Sequence, residues 1–128
     1  MIVGDAGHGH PFDPESVERA RSARLSSAEV DRLAEVLSIV GEPVRARIIT
    51  ALLAVEELCV GDVALAADVS EDAASYALRV LRTAGLVQRR RQGRLNFYRL
   101  ADDDTQPALR SALAELRRLA AATPPPAG

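Results

Sequence analysis

Ser70-Glu71-Asp72-Ala73-Ala74-Ser75-Tyr76-Ala77-Leu78-Arg79-Val80-Leu81-Arg82-Thr83-Ala84-Gly85 decides how this chain folds. Ser70 is a helix N-cap with acids behind it, and Gly85 is a stop. Between them Ala74, Ala77, Leu78 and Leu81 recur at spacings of three and four, so they share an inward face. The opposite face carries Asp72, Ser75, Tyr76, Arg79 and Arg82. A polar strip with small residues near the helix N-terminus suits a DNA major groove about 12 Å wide. A short helix is expected just upstream, over Cys59–Ala66, and a turn at Asp68-Val69 joins the two. That pairing is a helix-turn-helix.

Working outward, the period changes from 3.6 to 2 after Gly85. Leu86–Arg90 and Leu95–Leu100 read as strands, with Gln92-Gly93 as the hairpin turn. Upstream, Asp13-Pro14-Glu15 starts a helix over about residues 14–24. Ser26-Ser27 with Glu29 opens a second helix to Val40, carrying Val30, Leu33, Ala34 and Leu37 at helical period. Gly41 ends it, and Pro43 starts a third with Val44, Ile48, Ala51 and Leu52. Asp102-Asp103-Asp104 caps a last helix to about Ala122, where Leu109, Ala112, Leu113, Leu116 and Leu119 make one apolar stripe. The expected fold is mainly α with a small β-hairpin: a winged helix-turn-helix, dimeric, with extra N- and C-terminal dimerisation helices. A two-fold dimer covers the stripe and matches a palindromic site. The expected domain spans residues 13–122, between a flexible N-terminal arm (1–12) and a disordered tail (123–128).

The 128 residues suffice for one core, and 48% hydrophobic with 27% charged is ordinary for a soluble chain. No apolar run approaches the roughly 18 to 20 residues of a membrane span, and no signal peptide is visible, so a cytoplasmic protein is expected. The single cysteine excludes an internal disulfide. Neither a nucleophile–base pair nor a phosphate loop is present, which argues against an enzyme. Net charge is −2, so nucleic-acid contact must come from local patches. All 16 basic residues are arginine, and six of them lie between Arg79 and Arg94. Ser75, Tyr76 and Arg79 are placed for base edges or phosphate, and Asp72 for a cytosine amine or the helix dipole. Arg89, Arg90, Arg91 and Arg94 suit phosphate clamping or minor-groove insertion. A solvated surface turn is the bland alternative for that run, and a helix-turn-helix beside it favours DNA.

Glu57-Leu58-Cys59-Val60-Gly61-Asp62 carries the other chemistry. Thiolate and carboxylate stand three residues apart at the mouth of a short helix, so they can converge on one ion. His8 and His10, the only histidines, lie on a glycine-linked arm. One sulfur, one carboxylate and two imidazoles suit tetrahedral zinc or cobalt. The alternatives are a small buried cysteine, a first-turn acid complementing the dipole, and an unstructured histidine tail. A second constellation, Asp102, Asp104 and Glu115, needs two chains, because eleven helical residues span about 16 Å. Helix capping by the aspartates is the simpler account of it.

On these pieces the chain resembles the ArsR/SmtB family of metal-responsive winged-helix repressors, over roughly residues 13–122. The resemblance is carried by Glu57–Ala64, Val69-Ser70-Glu71, Ser75–Leu81 with Ala84–Val87, and Gln92-Gly93-Arg94 with Tyr98-Arg99-Leu100. The Glu-Leu-Cys-Val-Gly-Asp box is similar to that of the zinc and cadmium/lead sensors, which implies metal ligation by Cys59 and Asp62, with arm ligands in the region of His8 and His10. The family's second site falls on Asp102, Asp104, Glu115 and Arg118, where both histidines are replaced by acids and the last acid by a cation. Tyr76 stands where many relatives carry histidine. The resemblance implies a homodimer that represses from a palindromic double-stranded DNA operator, without a membrane, and is released by a divalent ion: Zn2+ first, then Cd2+, Co2+ or Ni2+. The rival expectation is a winged-helix regulator not controlled by metal, sensing redox through Cys59 or governed by a protein partner.

Overall fold

The structure, a computed structural model, describes residues 11–102, 105–122, 124 and 126. The element order is α1 (Pro14–Ser22), α2 (Ser27–Val40), α3 (Pro43–Ala54), β1 (Leu58–Cys59), α4 (Val60–Ala67), α5 (Glu71–Thr83), β2 (Val87–Gln92), β3 (Leu95–Leu100) and α6 (Thr105–Ala122). The chain divides into two compact units, residues 1–34 and 35–128. This is the expected winged helix-turn-helix with helices added at both ends. The arm bearing His8 and His10 lies outside the described residues, as do Asp103 and Asp104 and most of the tail.

In the first unit local chemistry accounts for the helix starts. Asp13 caps α1, its carboxylate accepting the Ser16 backbone N–H at 3.0 Å and hydroxyl at 2.8 Å. Ser26 and Glu29 form a reciprocal capping box at the start of α2: the Ser26 N–H donates to Glu29 Oε1 at 2.9 Å, and the Glu29 N–H to Ser26 Oγ at 3.1 Å. No residue of α1 is buried.

The second unit holds the core. Ile48, Ile49 and Leu52 of α3 pack with Val63, Ala64 and Ala67 of α4 and with Ala74, Ala77, Leu78 and Leu81 of α5. The sheet closes that core with Val87, Tyr98 and Leu100. Pro43 starts α3, with Glu42 accepting the Arg45 N–H at 3.0 Å. Arg45 in turn donates from Nε to the Ile39 carbonyl at 2.8 Å, satisfying an end of α2.

Three details differ from expectation. Leu58-Cys59 is a strand, pairing antiparallel with Tyr98 and Phe97 to give the sheet order β1-β3-β2. Two residues cannot display a period, so no pattern announces it. The hairpin turn is Gly93-Arg94, because Gln92 pairs with Leu95. Gly93 has φ +63 and Arg94 is not in the left-handed region, the signature of a type II′ turn. Finally, the stripe of α6 divides: Leu109 and Leu113 are 8% exposed and join the chain's own core, whereas Leu116 and Leu119 are 49% and 61% exposed.

Candidate functional site

The turn between α4 and α5 aims the polar strip. Asp68 adopts φ 57, the one described non-glycine residue with positive φ. That conformation lets the Val69 N–H reach the Ala64 carbonyl at 3.0 Å and the Asp68 N–H reach Leu65 at 3.3 Å, closing α4 in a Schellman motif. The chain then enters α5 through Ser70, whose hydroxyl accepts the Ala73 N–H at 3.0 Å. At the far end Leu86 bonds back to Leu81 at 2.9 Å and Gly85, φ +80, to Arg82 at 3.0 Å, a second Schellman motif. With both ends closed and its inner face buried, α5 has one orientation, and Asp72, Ser75, Tyr76, Arg79 and Arg82 are all exposed on its outer side. Tyr76 is 63% exposed, far too open for a core aromatic.

The wing arginines part company. Arg89 and Arg91 alternate with Arg90 across the strand, and their register partners are Tyr98, Asn96 and Phe97 respectively. Arg90 is engaged within the chain: its guanidinium lies 4.8 Å from the Phe97 ring centroid. Its Nε donates to Glu57 Oε2 at 3.3 Å and its Nη1 to Gln92 Oε1 at 2.7 Å, and Nη2 pairs closely with Glu57 Oε1. The hydrogen bond from Arg90, then its charge, holds the Glu57 carboxyl below the usual glutamate value. Arg91 Nε donates to the Gly93 carbonyl at 3.2 Å and steadies the turn. Arg89 and Arg94 are exposed and carry no ion pair among the described residues. Glu57 and Arg90 are 33 residues apart, and nothing in their local sequence links them.

Cys59 ends β1 and is the N-cap of α4, its thiol making no capping hydrogen bond. Asp62 follows at the third helical position and is exposed; Cys59 is half-buried. The N-cap and third positions are those whose side chains reach for each other's backbone N–H in a capping box, so the two residues stand one turn apart at the helix mouth. The pair offers one soft and one hard donor, half of a tetrahedral set. Among the described residues no three of His, Cys, Asp and Glu gather around a point that could hold an ion.

The last helix offers less. Asp102 is exposed and faces Arg99, Oδ2 to Nη2 at 3.5 Å. Glu115 is paired with Arg118 one turn on. Asp104 lies outside the described residues. No helix of the described residues is long and apolar enough to cross a membrane.

Similarity to known proteins follows the same segments. The family model described as bacterial regulatory protein, arsR family, matches residues 42–89, which run from the cap of α3 into β2. A transcriptional repressor SmtB homolog of Synechocystis sp. is 43% identical over 89 residues, 70% of this chain and 67% of that protein. A cadmium resistance transcriptional regulatory protein CadC homolog of Staphylococcus aureus is 30% identical over 106 residues, 83% of this chain and 87% of that protein. Among solved structures, the homodimeric winged helix-turn-helix DNA-binding domain from Mycobacterium bovis, a possible ArsR-family transcriptional regulator, superposes with TM-score 0.59. It is 31% identical, and the match covers 73% of this chain and 90% of that one.

Proposed function

This chain belongs to the arsR family of bacterial regulatory proteins, a transcriptional regulator rather than an enzyme, and from that premise we propose that it is a cytoplasmic homodimeric repressor released from a palindromic operator by a divalent metal ion. The observation that carries the DNA half is the outer strip of α5: five exposed polar residues on a helix whose inner face and both ends are closed. Two such strips, one per protomer, read two half-sites. Ser75, Tyr76 and Arg79 address base edges, and Asp72 sits at the positive end of the helix. Arg89, Arg91 and Arg94 contact backbone phosphate, while Arg90 keeps the wing in position. Leu116 and Leu119 of α6, and the exposed Val30, Leu33 and Leu37 of α2, supply apolar surface for the second protomer. The M. bovis homodimer and the SmtB and CadC homologs support this assembly and its metal control.

For the metal half, Cys59 and Asp62 hold the ion together with His8 and His10, and zinc fits that donor set best. The bound ion would supply a fixed positive centre that ties the arm to the mouth of α4. Cys59 pairs with Phe97, and Phe97 pairs with Arg90, so the ligand and the wing clamp share one sheet. A ligand that prefers one geometry of that sheet biases DNA affinity by its differential binding, typically about 1–3 kcal/mol. The acids Asp102, Asp104 and Glu115 are the reserve site, with Glu115 already paired to Arg118.

Fluorescence anisotropy of a labelled operator tests the whole proposal. The metal-free protein should bind, zinc should release it, and Cys59→Ser should stay bound with zinc present. Release of Cys59→Ser by zinc moves the inducing site to the last helix. Release by oxidant but not by zinc makes Cys59 a redox sensor instead.

A further inference from the structure

α3, α6 and the end of α4 enclose a groove whose lining carries three arginines, Arg47, Arg110 and Arg117, and no acid. Two contiguous hollows form it, and both include Thr50 and Arg117. The first, of about 240 Å³, has Leu53 and Leu113 in its wall. The second, of about 400 Å³, opens toward Arg47. The groove is locally basic in a chain whose net charge is −2. Neighbouring carboxylates do not neutralise it: Arg47 and Arg117 make no ion pair or side-chain hydrogen bond among the described residues. Arg110 is braced, its Nη1 donating to the Leu53 carbonyl at 2.8 Å, with its other N–H groups left over. Thr50 spends its proton on the Ala46 and Arg47 carbonyls at 3.0 and 2.9 Å. Its hydroxyl therefore gives the groove no fixed donor, and the donors toward a ligand are the guanidiniums.

We propose that this groove binds a small amphipathic carboxylate, its apolar body against Leu53 and Leu113 and its head between Arg47 and Arg117. The chemistry follows from the two kinds of lining. Guanidinium matches carboxylate in a bidentate way, and the apolar wall rewards a hydrocarbon body that inorganic anions lack. The hollow with Leu53 and Leu113 is the more apolar of the two and the one with Arg47 the more polar, so an amphipathic molecule can lay its body in one and its head in the other. The groove is separate from Cys59 and Asp62, so it stands or falls apart from metal control. It also joins α3, which packs on both α4 and α5, to the helix bearing Leu116 and Leu119. An occupant would thus link the DNA-reading pair to the dimer surface.

The test is a titration of the full chain followed by amide NMR shifts, with octanoate as the probe and 1-octanol and inorganic phosphate as controls. Octanoate should saturate shifts at Thr50, Leu53 and Leu113, and each control should bind at least about tenfold more weakly. The double variant Arg47→Gln/Arg117→Gln changes exposed side chains and should keep its melting temperature. It should lose octanoate affinity by about tenfold or more. Arg117→Lys is the second variant, keeping charge but not the planar fork, and it should fall between. The proposal is overturned if octanoate does not saturate below about 10 mM, if phosphate binds as well as octanoate, or if the double variant binds unchanged. A double variant whose only defect is a smaller salt dependence of operator binding also overturns it, because the groove would then serve the DNA backbone.

Discussion

α5 and α6 carry the same kind of apolar stripe and meet different ends. In α5 the stripe of Ala74, Ala77, Leu78 and Leu81 is at most 3% exposed. In α6 the stripe is finished for its first half, at Leu109 and Leu113, and left open at Leu116 and Leu119. Periodicity treats both helices alike, because it reports that a face is apolar and not what covers it. The difference separates what the chain completes for itself from what it leaves for a partner. The wing repeats the contrast at the level of single charges: Arg90 is satisfied by Glu57 and Phe97, while Arg89 and Arg94 are offered outward.

The contrast breaks most violently at Leu78. Leu78→Ala removes a fully buried side chain and should cost about 2–5 kcal/mol in urea unfolding. A loss below 1 kcal/mol would mean the α5 stripe is not core. Next comes the open half of α6. Leu116→Glu with Leu119→Glu should weaken dimerisation about a hundredfold or more by sedimentation, while the circular dichroism spectrum of the folded chain stays intact. Leu113→Glu, by contrast, should unfold the domain as well, because Leu113 belongs to the core. Identical behaviour of the two sets of variants would erase the distinction between the halves.

The wing offers a finer cut. Arg89→Ala or Arg94→Ala should lower the salt slope of operator binding by about 0.9. Glu57→Gln should leave that slope unchanged and loosen the wing, read as faster amide exchange in β2 and β3. The same clamp sets a pH dependence. The Glu57 carboxyl titrates below its ordinary 4.5, so the contribution of the pair is fully present above that value. It is lost as pH falls through the lowered folded value. The protection of the wing amides, measured relative to their intrinsic exchange at each pH, should therefore fall below pH 4.5 in the parent chain and not in Glu57→Gln. The smallest effect lies in the turn. Asp68→Gly relieves a left-handed aspartate and should change stability by no more than about 1 kcal/mol, while Asp68→Val should cost at least that.

Much of the candidate site was legible before any coordinates. Ser70 as a cap, Gly85 as a stop and the alternation of inner and outer residues on α5 are local facts, governed by hydrogen bonds within a turn or two. The assignment of Cys59 and Asp62 to the mouth of α4 follows from the same locality, although the helix begins one residue later than its composition suggests. The Glu57–Arg90 clamp was not legible. Neither was β1, whose two residues form a strand only because Tyr98 and Phe97 lie alongside.

By itself, then, the sequence determined the caps, the helices, the hairpin and the polar face of α5, because backbone hydrogen bonding and side-chain period act over a few residues. Only the tertiary structure decided where the α6 stripe stops being core, which wing arginine is paired with an acid of the chain, and that Cys59 shares a sheet with that clamp. Those outcomes depend on what the fold brings alongside from tens of residues away, and burial and charge pairing are settled by that neighbour.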